Sequence, residues 1–326
     1  MVVRRAARRS VIVVLAVFAL VALAIGGLFA VGAREPASQL ASGGGPVWFV
    51  ALRLADPGGA SDSGARFGQA NASAVPWTEL LVPGVALHWS SRAEFPVIGP
   101  AESYWHAFAV LQGTRDIVEP LDSRHYGESV EDAQVLALTL ERPPRLVLGA
   151  LKLLALTGLA SVPPMTEDAD TFAERTHPES APSAEGLPTR EQMAAILGAP
   201  ANLAPAMVNW LAYRAEAAYA PGVNVLAASA TRRSGAEAYG RYGLVALQTA
   251  YRSGAHLIFV GKVDAVVRAP EAGPTQGRWN TIAVMRYPRP SAMLGMEQVP
   301  AYRAALQDRA AGLERTVVIA SNPQSH

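Results

Sequence analysis

The chain has 326 residues, half of them apolar, a formal net charge of +1 and no cysteine. That length admits one or two domains and a sizeable core. The balanced charge argues against a nucleic-acid partner; the missing cysteines exclude disulfides, a thiolate nucleophile and any cysteine-based metal site.

Arg4, Arg5, Arg8 and Arg9 precede an uncharged apolar run from Val11 to Ala33. As a helix this run is long enough to span a bilayer core, and the four arginines place the N-terminus in the cytoplasm. The expected location is the cell membrane, single-pass, with the folded part extracytoplasmic (periplasmic in a Gram-negative cell). A signal peptide cleaved near Val31-Gly-Ala33 is the rival reading. Residues 1–33 are thus anchor or signal, and 34–45, polar and Gly/Ser-rich, read as a flexible tether.

From Pro46 onward the chain matches itself. Val47–Asp56 parallels Val208–Ala217, and Gly64–Val75 parallels Gly235–Ala246. Gly84–Pro100 parallels Gly254–Pro270, Trp105–Gln112 parallels Trp279–Arg286, and Tyr126–Ala133 parallels Tyr302–Arg309. The order is preserved, with an insertion at Tyr219–Thr231 in the second copy. Each copy reads as β-α-β-β-α-β, the ferredoxin-like split βαβ order. Its first helix is weak and interrupted by Pro76 in copy one, but convincing from Ala236 to Arg252 in copy two. Such a unit covers one sheet face with helices and leaves the other bare, and two copies bury their bare faces against each other.

The expected fold class is therefore α+β: two fused ferredoxin-like units with paired sheets, behind one N-terminal transmembrane helix. The divergent first repeat spans 46–162, a linker 163–188, and the second repeat 189–326. Arg145–Ala160 is apolar around a single Lys152; it reads as the fourth strand and a core helix, with a second membrane-associated segment as the sharper alternative. Pro163–Pro188, rich in Glu, Asp, Pro and Ser, reads as a mobile linker. Thr189 caps a short helix with Gln192 in the capping-box position.

The last stretch, Trp279 to Ile319, reads as strand, helix, strand. Pro288 and Pro290 stop the strand, Ser291 is the expected N-cap, Pro300 breaks or kinks the helix, and Thr316–Ala320 is a short buried strand. The segments Met207–Arg214, Gly254–Gly261, Trp279–Arg289 and Pro300–Leu306 running into Arg309–Thr316 resemble the DUF1330 family of the dimeric α+β barrel superfamily. The resemblance covers most of Thr189–Ser321. It implies a barrel formed by two ferredoxin-like units, normally from two chains, here from one. It implies no common reaction, since relatives in the superfamily include cofactor-free monooxygenases, isomerases and haem enzymes.

No catalytic motif appears, and no Gly-rich phosphate loop. Strand alternation puts His88 and His256 on one face, so a hollow barrel would let both imidazoles reach one cavity, for proton transfer or metal ligation; the alternative is two unrelated histidines with local partners. No third ligand stands at useful spacing, so no metal or cofactor is expected. Asn209 and Tyr213 share a strand face, where Asn209 would orient a polar ligand or simply bond neighbouring backbone. Arg286, Tyr287, Arg289 and Arg309 would hold an anionic group or pair with Glu297, Asp308 and Glu314. Trp105 and Trp279 occupy equivalent strand starts, as packing anchors or stacking residues.

Three functions follow. One is a membrane-tethered module binding a small apolar or amphipathic molecule between the two sheets. The second is a cofactor-free oxygenase- or isomerase-like enzyme with a lumen histidine as base. The third is a solid scaffold for a partner protein. Pairing of the fused unit into a further homodimer is left open.

Overall fold

The computed structural model describes residues 21–40, 45–55, 77, 84–100, 104–113, 130–158, 161–166, 168–176, 187–220 and 233–324. The fold is mixed α+β, built on one antiparallel eight-stranded sheet. Segments rich in Val, Ala, Leu and aromatics form the strands. These are β1 (Val47–Leu54), β2 (Val85–Ile98), β3 (Ala107–Gly113), β4 (Val130–Leu140), β5 (Ala206–Tyr213), β6 (His256–Arg268), β7 (Thr281–Arg286) and β8 (Leu313–Pro323). The sheet closes into a barrel in the order β1-β3-β2-β8-β5-β7-β6-β4.

Each half contributes the same strand order, β4-β1-β3-β2 and β8-β5-β7-β6. The seams are β2 on β8 and β4 on β6. Register repeats too: the β2–β3 ladder shifts between Leu87 and Trp89, and the β6–β7 ladder shifts between Leu257 and Phe259. These bulges fall at the positions that Gly84–Pro100 and Gly254–Pro270 align.

Strand alternation sends Phe49, Phe108, Trp210 and Phe259 inward, where they join one buried cluster drawn from both halves. The Trp210 ring meets Phe49 at 5.4 Å and Phe108 at 5.5 Å, each edge-on. Burying a ring of this size is worth roughly 4–6 kcal/mol of transfer free energy. Inside, Trp210 Nε1 donates to Gln134 Oε1 (2.9 Å), and Gln134 Nε2 donates to the Thr275 carbonyl (2.8 Å), whereas Trp89 Nε1 of the same cluster is buried without a hydrogen-bond partner. The barrel interior is a packed core, not a lumen.

The helices lie outside. They are α1 (residues 21–33), α2 (Pro36–Leu40), α3 (Arg145–Thr157), α4 (Ala169–Thr176), α5 (Arg190–Gly198), α6 (Gly235–Arg252), α7 (Pro290–Gly295) and α8 (Pro300–Gly312). Helices α6 and α8 cross over the outer face of the second half. Gly235 and Gly312 meet at that crossing, where a Cβ on either would come within 2.5 Å of the other's carbonyl oxygen.

Several expectations are corrected. Residues 34–40 are not a loose tether, because Glu35, Ala37, Ser38 and Leu40 are buried. The supposed linker contains α4, and Met165 and Phe172 join a core cluster of the second half. Tyr126–Ala133 does not match the helix Tyr302–Arg309, since Val130 already begins β4. The strand before Arg145 ends at Leu140, so Arg145–Thr157 is all helix. The first-strand alignment is two residues out: Val50 pairs with Ala109 and Val135, as Asn209 pairs with Ala283 and Val318. Arg289, not Ser291, is the N-cap of α7, because Pro290 takes the first helical position. The capping box at Thr189 and Gln192 is present, and Pro300 separates α7 from α8.

Among the described residues no helix is long and apolar enough to cross a membrane. The first half of the Val11–Ala33 run lies outside them, as do the segment around Pro76 expected to form the first half's first helix, apart from buried Trp77, and residues 126–129 of its expected second helix.

Candidate functional site

The filled interior relocates the site. A cavity of about 750 Å³ lies on the outside of the barrel, between the second half's sheet and helices α6, α7 and α8. Its floor comes from alternate residues of β5 and β7, among them Met207, Asn209 and Leu211, then Ala283 and Met285. These positions face outward because their neighbours Val208, Trp210 and Val284 belong to the interior cluster.

Helix α6 forms the roof, set by Ser234. The Ser234 hydroxyl accepts from the Glu237 N–H, and the Glu237 carboxylate accepts from the Ser234 N–H, a complete capping box. Arg241 ties α6 to α8 through Asp308 (2.7 Å), which also accepts from the Tyr219 hydroxyl (2.6 Å). Two helix glycines open the space: a Cβ built on Gly240 or Gly243 meets no atom within 4 Å, and both line the cavity.

Tyrosines dominate the polar side of the wall. Tyr213, Tyr239, Tyr242 and Tyr302 form a continuous ring series with centroid separations of 5.3, 5.3 and 5.8 Å. The hydroxyls of Tyr242 and Tyr302 are 3.1 Å apart, and the Tyr287 hydroxyl contacts Met296 Sδ at 3.6 Å. Burial pushes the Tyr213 phenol up to about 12, against a small opposing hydrogen bond from Thr281. Burial also holds the Tyr239, Tyr287 and Tyr302 phenols above their ordinary value. These shifts favour the protonated phenol at all four positions. Buried Arg309 supplies a positive charge, its guanidinium 5.9 Å from the Tyr242 ring centre. Apolar walls with a few convergent polar groups are the usual composition of a small-molecule site.

The residues singled out from the sequence divide around this cavity. Asn209, Tyr213, Tyr287 and Arg309 line it. Asn209 Nδ2 donates to the carbonyls of Met207 (2.8 Å) and Ala283 (3.0 Å), so its amide nitrogen is engaged by the sheet itself. Arg286 is exposed at the end of β7, and Asp308 pairs with Arg241.

Trp279 is not at the site. It is a packing anchor: Trp279 Nε1 donates to the Thr275 carbonyl (2.7 Å) and Trp105 Nε1 to Thr275 Oγ1 (3.1 Å).

The two histidines do not converge. His88 is the exposed bulge residue of β2, and His256 is half-buried at the start of β6, four strands away around the ring. Burial and then Lys152 lower the His256 imidazole below its usual value, with Glu35 opposing them. Among the described residues no group of three or more His, Asp or Glu is arranged to hold a metal ion. Tyr239 and Tyr242 were missed from sequence; their signal is Tyr239-Gly-Arg-Tyr242-Gly243, two tyrosines and two glycines spaced by one helical turn.

The chain matches no family model and no curated protein. It is similar to two solved structures of the RPA0582 protein, a protein of unknown function from Rhodopseudomonas palustris. The first, of the methylated protein, is 27% identical over 42% of this chain and 93% of that one, with a TM-score of 0.36. The second is 26% identical over 44% of this chain and 100% of that one, with a TM-score of 0.37.

Proposed function

We propose that this protein is a membrane-anchored binding module whose ligand, a small amphipathic molecule, sits between the second half's sheet and its helices. The observation that carries this reading is the cavity of about 750 Å³ with mostly apolar walls, a series of phenols, buried Arg309, and Glu141, Arg142 and Glu297 also in its lining. That composition suits an apolar body with an anionic or hydrogen-bond-accepting head near Tyr242, Tyr302 and Arg309. The ligand does not sit between the two sheets, because aromatic side chains fill that space.

The fold belongs with this reading as two fused ferredoxin-like units of the dimeric α+β barrel type, as the DUF1330 resemblance implies. The repeated strand order and the matching bulges support it. Anchoring through Val11–Ala33 is supported by the four preceding arginines and by α1, whose residues 21–27 are all exposed although all are apolar or glycine. A helix that is apolar on every side needs an apolar surrounding.

Native mass spectrometry of the full chain, released gently from detergent, tests the binding reading. The expected result is a retained mass on the wild-type protein that is lost in Gly243→Leu, whose side chain grows into the cavity. A bare mass for the wild-type protein, reproduced under gentle conditions, removes the tight-ligand reading and returns the packed barrel to the role of scaffold.

A further inference from the structure

Helix α3 lies against α1 at a glycine–glycine crossing. A Cβ on Gly32 would fall 1.8 Å from the Arg145 carbonyl oxygen, and one on Gly149 would fall 1.9 Å from that of Leu28. Backbone contact this close fixes the two helices together along one side. Small residues at a crossing are the means by which helices associate without a hydrophobic driving force between them.

The junction is also pinned by charge. Glu35, just after α1, is buried; it accepts from the Tyr251 hydroxyl at 2.9 Å and pairs with Lys152 of α3 at 3.5 Å. The one cation in the middle of α3 is thereby engaged on the protein side.

Between Arg145 and Thr157, the exposed residues at its two ends, what α3 leaves outward is apolar. Leu148 is buried against Tyr251 and Leu257, whereas Leu146, Val147, Leu153 and Leu156 are exposed, Leu156 by 71%. On α1 the exposed side chains include Leu23 at 72%. On α6, against which α3 packs, Leu244 is 74% exposed. Val147 and Leu244 also line the cavity. One apolar surface therefore runs from the membrane-directed helix across α3 to the cavity's edge.

We infer that α3 is a second membrane contact, lying on the bilayer beside the anchor and turning the cavity's opening toward the lipid. The occupant of this surface is the bilayer itself. The patch adjoins, backbone to backbone, the end of an apolar run preceded by four arginines. A cavity opened there takes its amphiphile from the membrane without passing it through water. This inference rests on the anchored-module reading above, and makes the ligand class lipid-derived.

The test uses the full chain in phosphatidylcholine vesicles, with and without brominated acyl chains. Because the protein has no cysteine, Leu23→Cys, Leu156→Cys, Leu244→Cys and His88→Cys each carry a single bimane label. The first three replace exposed side chains, and His88 lies on the opposite side of the barrel. Quenching at Leu156 and Leu244 is expected within about twofold of that at Leu23, and about fivefold weaker at His88, since bromines report only labels at or inside the acyl boundary. If Leu23 is quenched and Leu156 is quenched no more than His88, the second contact is overturned while anchor and cavity stand. If Leu23 is not quenched, the inference falls together with the anchor. Neither outcome depends on a bound ligand, which native mass spectrometry reads separately.

Discussion

Trp210 shows how one residue joins the two halves. Its ring fills the space between Phe49 and Phe108, and its indole N–H satisfies Gln134 across the barrel. Trp210→Phe keeps most of the volume but orphans the buried Gln134 carbonyl, an expected loss of about 1–3 kcal/mol. Trp210→Ala adds a cavity and is expected to cost about 3–5 kcal/mol or more. Urea denaturation checks both; losses well under 1 kcal/mol would show that the halves do not share a core. At the site, Arg309→Gln is expected to lower retention of an anionic amphiphile about tenfold or more, the loss of one charge-assisted hydrogen bond. Equal retention by both proteins would place the head elsewhere.

Helix α6 is a stabilised element with a deliberate gap in it. Its capping box favours a long amphipathic helix, while Gly240 and Gly243 weaken it. Gly240→Ala is expected to raise stability by about 0.8–1 kcal/mol, since nothing stands in the way of its Cβ. Ser234→Ala is expected to cost about 1 kcal/mol. Thermal melts of the two variants should therefore move in opposite directions. Legibility at this scale followed locality. The Thr189–Gln192 box was readable because its partners are three residues apart. Tyr126–Ala133 was misaligned because a short sequence match cannot outweigh the apolar pattern that makes Val130–Leu140 a strand. The cavity was unreadable because β5, β7 and α8 bring its walls from some hundred residues of chain.

At the scale of the whole molecule the sheet is a closed ring, and two half-buried histidines on it set a response to acid. At the rim of the first half, His106 Nδ1 accepts from the Leu54 N–H at 3.0 Å. Burial, then Arg53, lowers its imidazole below the usual 6.5, as burial and Lys152 do for His256. A base depressed in the folded state is protonated first in the unfolded chain. Stability is therefore complete above about pH 6.5 and declines as pH falls below it. Melting curves from pH 7.5 to 5 should show this decline, and His106→Asn should make it shallower; an unchanged midpoint across that range would refute the assignment. The ring also places His88 and His256 on opposite sides, which is why a face-by-face reading of two strands did not bring them together.

Composition and pattern alone determined the strand–helix order of the second half, the Thr189 cap and the apolar N-terminal run, because each is written in neighbouring residues or in the period of a single element. Only the tertiary structure decided that the barrel is solid and that the cavity lies outside it. Which face of a sheet is filled depends on side-chain volumes contributed by strands from both halves, and no local stretch carries that sum. The same holds for the crossing of Gly32 on Gly149: two glycines over a hundred residues apart acquire meaning only when their helices touch.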